Sequence, residues 1–200
     1  MELDHVLIAV SDLAAGAREL EERYGLASIE GGRHRGWGTA NRIVPLGETY
    51  LELIAVVDRR EAAASEFGSL VAAGEHGRPV GWAVRTDDLD AVAERLGLTA
   101  SANSRAQPDG GTLSWRVAGI GEAAAEPPLP FFVEWTGGTH PGRSAEPRPA
   151  RIAQLALRGD PNRLGEWLGD HEMPVTIEPG PPGIAELALA GPEGEVSIGR

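Results

Sequence analysis

The sequence predicts an α+β fold assembled from tandem βαβββ units. Three observations lead to this prediction: the same order of strands and helix returns along the chain, the strand-to-helix junctions are alike, and a Pro/Gly-rich stretch separates the later copies. The junctions are Val10–Leu13, Thr86–Leu89 and Arg158–Pro161, each with an Asp that can cap the helix. The alternative is a chance likeness among strand–helix units, which are common in α+β proteins.

The first copy is predicted at residues 1–57. Its opening strand, Leu3–Val10, is apolar and rich in β-branched residues. The helix Leu13–Tyr24 has apolar side chains at helical spacing and ends at a glycine. Three strands follow, the last two joined by a tight turn: Leu26–Ile29, Thr39–Leu46 and Thr49–Val57.

Two further copies are predicted after a connecting helix and loop at 58–78. The second, at 79–137, contains the strand Pro79–Thr86, the helix Leu89–Leu96, and the strands Thr112–Val117 and Leu129–Trp135. A Pro/Gly-rich linker at 138–150 precedes a third, degenerate copy at 151–200. That copy contains the strand Arg151–Arg158, a helix that runs to Leu168, and the short strands Val175–Ile177, Ile184–Leu189 and Glu195–Ile198.

The composition excludes several kinds of site. The 200 residues carry a formal net charge of −12 and the arginines are scattered, so a nucleic acid is not expected as a partner. The absence of cysteine and lysine removes disulfides, thiolate metal ligands and Schiff-base chemistry. No apolar run is long enough to cross a bilayer and no signal peptide opens the chain, so we expect a cytoplasmic protein without membrane contact.

Several segments form a combined pattern that is more specific than any of its parts. They are Leu3–Val6, Gly32–Asn41, Tyr50–Leu53, Arg105–Gly110, Leu113–Arg116, Pro130–Trp135, and His140 with Pro141. Together they resemble the glyoxalase-like domains of the vicinal-oxygen-chelate superfamily. The resemblance implies paired βαβββ modules whose curled, mixed β-sheets form a bowl for a metal ion or a small ligand.

The resemblance also implies a metal site. In metal-dependent members of the superfamily, the first strand of each module provides a His or similar ligand and the last strand a Glu. By this likeness, His5, Glu52 and Glu134 would hold a divalent ion such as Zn, Ni, Mn or Fe. Because alternate residues of a strand face opposite sides, Glu52 is expected to face the bowl, while Leu51 and Leu53 face the helices.

The sequence departs from the superfamily pattern at the fourth ligand. The junction alignment places Gly81 there, beside Trp82, and neither residue can bind a metal through its side chain. Either His34, His140 or Gln154 substitutes for the missing ligand, or the metal has been lost.

The remaining candidates are expected to bind the substrate. They are His34, Thr39, Asn41, Trp82, Arg105 and Arg116. The two arginines, together with Asp109, would anchor an anionic group such as a carboxylate, which a guanidinium binds through two parallel hydrogen bonds. The alternatives are an exposed loop histidine, core tryptophans and structural salt bridges, including one between Glu134 and Arg116.

Two functions from different classes remain open. The first is a metal-dependent lyase, isomerase or dioxygenase of unknown substrate, in which the ion stabilises an oxyanion and Glu52 or Glu134 acts as general base. The second is a non-catalytic module that sequesters a small molecule, as the bleomycin-resistance members of the superfamily do. A domain with a vestigial pocket is a third option. In each case we expect a small-molecule partner, with a homodimer as a possible assembly.

Overall fold

A computed structural model describes residues 1–107, 110–146, 148–169, 172–192 and 194–199. The predicted anion anchor Asp109 lies outside these residues.

Along the first part of the chain the elements are β1 (Glu2–Ala9), α1 (Leu13–Tyr24), β2 (Ile29–His34), β3 (Thr39–Pro45), β4 (Tyr50–Val56), α2 (Arg59–Ala63) and α3 (Glu66–Ala73). The carboxylate of Asp12 accepts a hydrogen bond from the amide of Ala15, and Gly25 ends α1 at a φ of 67°. Both ends of this helix therefore follow local sequence signals.

The middle of the chain has the same kind of order with one extra helix. Its elements are β5 (Arg78–Arg85), α4 (Leu89–Leu96), β6 (Ser101–Ala106), β7 (Thr112–Ala118), α5 (Ile120–Ala125) and β8 (Phe131–Gly137). Strand β6 was not predicted, because its six residues have no apolar alternation and its side chains are largely exposed. It is an edge strand that β7 holds through backbone pairing.

The last part of the chain forms a separate, smaller sheet. A short 3₁₀ helix (Pro141–Arg143) leads to β9 (Arg151–Arg158), α6 (Pro161–Leu168), β10 (Val175–Glu178), β11 (Gly183–Gly191) and β12 (Gly194–Ile198). The four strands lie in the order β10-β9-β11-β12.

The large sheet has eight strands in the order β2-β3-β4-β1-β5-β8-β7-β6. Strands β1 and β5 meet antiparallel at the centre, and each pairs in parallel with the last strand of its own half, β4 or β8. The sheet curls until its two edges approach each other, so that the side chain of Arg105 in β6 donates a hydrogen bond to the carbonyl of Gly31 in β2 at 3.1 Å. The result is a nearly closed, mixed sheet with an inner and an outer face.

The two faces of this sheet have separate apolar cores. On the outer face, Leu51, Leu53 and Trp82 belong to a large cluster that includes side chains of α1, α4, α6 and the small sheet. The inner face has a smaller cluster built around Phe67, Phe131 and the strands β7 and β8. Among the described helices, none is both long and apolar enough to cross a membrane.

Trp167 of α6 fastens the C-terminal elements to the large sheet. Its side chain is buried, its indole Nε1 donates to the carbonyl of Pro130 at 2.8 Å, and its ring lies 5.7 Å from that of Phe132. This one side chain therefore combines apolar burial with a satisfied polar group.

We expect Trp167→Ala to lower the free energy of unfolding by about 3 to 5 kcal/mol, because it leaves a large cavity and an unpaired carbonyl. Trp167→Phe keeps most of the packing but leaves a smaller cavity and the same unpaired carbonyl, so its loss should be smaller, about 1 to 3 kcal/mol. Chemical denaturation followed by circular dichroism measures both. The exposed Val57 provides a control, since Val57→Thr should change stability by less than about 0.5 kcal/mol. Equal, small losses for both Trp167 variants would show that α6 does not stabilise the sheet.

Candidate functional site

The inner face of the large sheet lines a narrow, partly open cavity of about 40 Å³. One wall is polar and comes from β1 to β4 and the edge strand β6: His5, His34, Asn41, Tyr50, Glu52 and Arg105. The other wall is apolar and mostly aromatic, and includes Phe67, Leu113, Trp115, Val117, Phe131, Val133 and Trp135. The cavity is thus lined by polar, ionisable side chains next to an apolar, largely aromatic surface.

A buried carboxylate organises the polar wall. The pairing of β1 with β5 is irregular between Leu3 and His5, and such bulges redirect side chains. Asp4 lies at this irregularity and is fully buried. Its carboxylate oxygens lie 2.7 Å from His5 Nδ1, 3.0 Å from His140 Nε2 and 3.1 Å from Trp135 Nε1.

These contacts keep Asp4 ionised. Burial alone would raise the pKa of its carboxyl group, but hydrogen bonds from His140 and His5, together with their charges, outweigh burial and hold the pKa well below its usual range. An ionised Asp4 can only accept hydrogen bonds, so His5 Nδ1 carries a proton and donates it. The other ring nitrogen, Nε2, is then directed away from Asp4.

Glu52 lies at that other nitrogen. Its Oε2 is 3.4 Å from His5 Nε2, and its Oε1 accepts a hydrogen bond of 2.8 Å from the side-chain amide of Asn41. Both acid–base groups are nearly inaccessible, with 4% of His5 and 5% of Glu52 exposed. Tyr50 stacks on the imidazole at 4.4 Å between ring centroids and holds it in plane. The predicted orientation of Glu52, opposite to Leu51 and Leu53, is present in the structure.

His34 is a neutral hydrogen-bonding member of the wall. Burial lowers the pKa of its imidazole, the positive charges of Arg105 and His5 lower it further, and only the charge of Glu52 opposes them. Asn41 Nδ2 donates to His34 Nε2 at 3.4 Å, so the proton sits on Nδ1 and is donated to Thr39 Oγ1 at 2.9 Å. The three polar residues of the Gly-rich segment therefore meet, as its composition suggested.

Gly31 makes room for the Asn41 amide. The backbone N–H of Gly32 donates to Asn41 Oδ1 at 2.7 Å, which orients the amide nitrogen toward Glu52. A Cβ on Gly31 would lie 2.0 Å from the same oxygen, far inside contact distance. The glycine is required here for close approach of a side chain, while its backbone conformation is ordinary.

Glu134 does not join His5 and Glu52, which corrects the expectation that the three share one cavity. In β8, Val133 and Trp135 face the cavity, so Glu134 faces the outer side of the sheet. There its carboxylate accepts a bond of 2.9 Å from Arg116, and it lies 3.4 Å from the amide of Leu89. The alternative interpretation, a salt bridge between Glu134 and Arg116, describes what the structure has.

Two predicted substrate-binding residues are also on the outer side. Arg116 forms ion pairs with Asp90 and Glu134. Trp82 lies in the outer core, and its indole N–H donates to the carbonyl of Pro128 at 3.0 Å. Arg105, in contrast, does line the cavity.

The described residues do not fit a resident divalent ion: no group of three His, Asp or Glu side chains is placed to hold one. The adjoining strand β5 contributes Gly81 and Ala83, which have no ligand atoms. The three residues that could have substituted for the missing fourth ligand already form other hydrogen bonds. His140 bonds to Asp4, His34 Nε2 accepts from Asn41, and Gln154 donates to Thr176 in the small sheet.

Asp4 and Tyr50 are parts of the site that were not predicted from the sequence. A charged residue inside an otherwise apolar strand was a usable signal for Asp4, since buried carboxylates are rare unless they are paired. The signal for Tyr50 was its place on the same strand face as Glu52. This signal is weaker, because tyrosine is common in strands.

Asp4 makes stability depend on acid pH in a defined direction. Its contribution is fully present above the unfolded-state pKa of about 3.9 and is lost as the pH falls toward the lower pKa of the folded state, because the unfolded chain binds the proton first. Asp4→Asn should lower the free energy of unfolding at pH 7 by about 3 kcal/mol and flatten its decline below pH 4. Urea denaturation across this pH range is the measurement.

A matched control is Asp88→Asn, since Asp88 is an exposed N-cap whose carboxylate accepts from the amide of Ala91. Asparagine caps helices as well as aspartate does, so this change should cost little and leave the acid decline in place. An Asp4→Asn protein as stable as the parent at pH 7 would contradict the role given to the three donors.

Comparison with known proteins agrees with this architecture. The sequence model of the glyoxalase-like domain matches residues 3–171. No curated protein sequence matches the chain. A crystal structure of a hypothetical protein from Staphylococcus aureus is similar at a TM-score of 0.66 and 13% identity, over 98% of this chain and 84% of that one.

Methylmalonyl-CoA epimerases are more distant in structure. A variant of the Streptomyces coelicolor enzyme in complex with 2-nitronate-propionyl-CoA has a TM-score of 0.48 and 19% identity, over 70% of this chain and 99% of that one. The Mycobacterium tuberculosis epimerase has a TM-score of 0.46 and 20% identity, over 69% of this chain and 89% of that one. The domain match confirms the resemblance, and the curled, mixed sheet has the predicted α+β fold class: the chain belongs to the family of glyoxalase-like domains.

Proposed function

We propose that the cavity is the active site of an enzyme that moves a proton on a small substrate, as isomerases and lyases do. One observation carries the proposal: the buried carboxylate of Glu52 lies 3.4 Å from an imidazole nitrogen of His5, and the buried carboxylate of Asp4 holds the other nitrogen at 2.7 Å. Ionisable groups are costly to bury, and such chains are concentrated at functional sites.

In this proposal Glu52 is the base and His5 is its partner. Glu52 takes a proton from a carbon beside a carbonyl group, and the electron pair of the broken C–H bond moves to the carbonyl oxygen. In this proposal an Nε2–H of His5 then stabilises that oxyanion with a hydrogen bond. Return of the proton to the opposite face of the carbon, or to a different atom of the enolate, completes an isomerisation.

The neighbours of Glu52 are suited to this role. Asn41 binds only one carboxylate oxygen, which fixes the group and leaves the second oxygen at His5. His34 is neutral and adds no competing positive charge. A divalent ion is not part of the proposal, since the described donors do not converge on one.

The second candidate function is sequestration of a small molecule without chemistry. It is supported by the aromatic wall, where Trp37 and Phe67 lie 4.7 Å apart and Trp115 and Trp135 lie 6.0 Å apart. Such surfaces bind flat apolar groups well. The acid–base pair has no role in this function, which is why it ranks second.

We expect the protein to exchange acidic C–H protons of small carbonyl compounds with deuterated water. A panel of such compounds, followed by proton NMR, identifies a substrate through the loss of one C–H signal. Glu52→Gln should then slow exchange by about 10²- to 10⁴-fold, the usual contribution of a general base. Glu134→Gln is the matched control, because Glu134 lies on the other side of the sheet and its removal should leave the exchange rate unchanged.

Two outcomes would count against the proposal. Ligands that stabilise the protein against heat but never exchange would favour sequestration. Exchange that requires added zinc or manganese and stops with a chelator would restore the metal-dependent hypothesis.

A further inference from the structure

The curled sheet has a seam. It is closed by a side chain and not by backbone hydrogen bonds between strands. The seam lies between the edge strands β2 and β6. Arg105 of β6 crosses it, and its Nη1 donates to the Gly31 carbonyl at 3.1 Å. A Cβ on Gly32 would lie 2.8 Å from Arg105 Cδ, so the glycine provides the space for this crossing.

Two surface grooves lie outside the seam, and Arg105 lines both of them as well as the inner cavity. The first groove also contains Arg33 and Arg35, and the second contains Gln107 and Pro141. A molecule that reaches the inner cavity by way of the seam therefore passes the Arg105 guanidinium.

The charge of Arg105 is not neutralised within the described part of the chain, where no carboxylate forms a salt bridge with it. Its two hydrogen-bond acceptors are the backbone carbonyls of Gly31 and Ala106. Arg116, in contrast, is paired with two carboxylates, and Arg33 has two partners as well. Within the described residues, Arg105 is thus a cavity-lining cation without an ion pair, in a chain whose net charge is −12.

We propose that Arg105 binds the carboxylate of a small, partly apolar carboxylic acid that enters through the seam between β2 and β6. The guanidinium exchanges its bonds to backbone carbonyls for two charge-assisted bonds to the carboxylate. The apolar part of the acid lies against Trp115 and Trp37, which border both the cavity and the outer groove.

The Arg105 guanidinium, with Arg33 and Arg35 in the adjoining groove, favours an anionic ligand. It also orients the ligand, because the negative groups Glu52 and Asp4 lie deeper along the polar wall and repel a carboxylate. The anion therefore stays at the seam while the rest of the molecule extends toward Glu52. This inference rests on the proposed function in placing the reacting carbon near Glu52, but the binding itself needs no chemistry.

Three probes of similar size test the inference by isothermal titration calorimetry: phenylacetate, its isosteric neutral amide, and the cationic phenethylamine. The wild-type protein should bind phenylacetate about 10- to 100-fold more tightly than the amide, as expected for hydrogen bonds to a charged group. Arg105→Gln should remove this difference. Arg105→Lys retains the charge but loses the paired geometry, and should keep only part of it.

Arg116→Gln is the matched control, since it removes an arginine from the neighbouring strand on the outer face and should leave the preference intact. The inference is overturned if the wild-type protein prefers the amide or the amine, fails to bind phenylacetate at millimolar concentration, or keeps its preference in Arg105→Gln. The wild-type comparison decides the matter even if a variant does not fold. Retained preference for the carboxylate with no isotope exchange would refute the proposed chemistry alone.

Discussion

The burial of one negative charge determines how the whole cavity is arranged. Asp4 has no access to water, so its ionised carboxylate is tolerated only because three N–H groups surround it. These donors come from β1, from the end of β8 and from the segment after β8. The carboxylate thus fixes the His5 ring, secures Trp135 in the aromatic wall and draws His140 toward the first strand. Removing this charge would loosen three separate parts of the chain at once.

The two halves of the large sheet have matching strand orders but opposite chemical character. Strands β1 to β4 supply Glu52, His5 and Asn41, whereas β7 and β8 supply tryptophans and branched apolar residues. Two copies of a repeated unit provide structurally equivalent positions. In the second half of this sheet, those positions hold apolar packing residues. Under the proposed function, this division would give a small substrate an apolar wall to lie against beside Glu52 and His5.

Strand alternation predicts which way a side chain faces only where apolar and polar residues alternate. In β4, one carboxylate between two leucines indicated correctly which side faces inward. In β8, Phe131, Phe132 and Val133 are all buried, so alternation gave no contrast and the side of Glu134 could not be deduced. The irregularity at Asp4 was equally hidden, since a bulge depends on pairing with a distant strand. Strand β6 escaped detection because backbone bonds hold it while its side chains stay in solvent. The boundaries of the three copies remain predictions.

The small C-terminal sheet has a consequence for assembly. Its apolar residues Leu155 and Leu187, together with Trp167, are in the same core as Trp82 and Phe132, on the outer side of β5 and β8. Helix α1 contributes Leu20 to this core and packs against β4 of the other half. The chain's own residues thereby cover much of the apolar outer face of the curled sheet. A second copy that formed a homodimer would have to dock on some other region, such as the rim of the cavity or an edge of the small sheet.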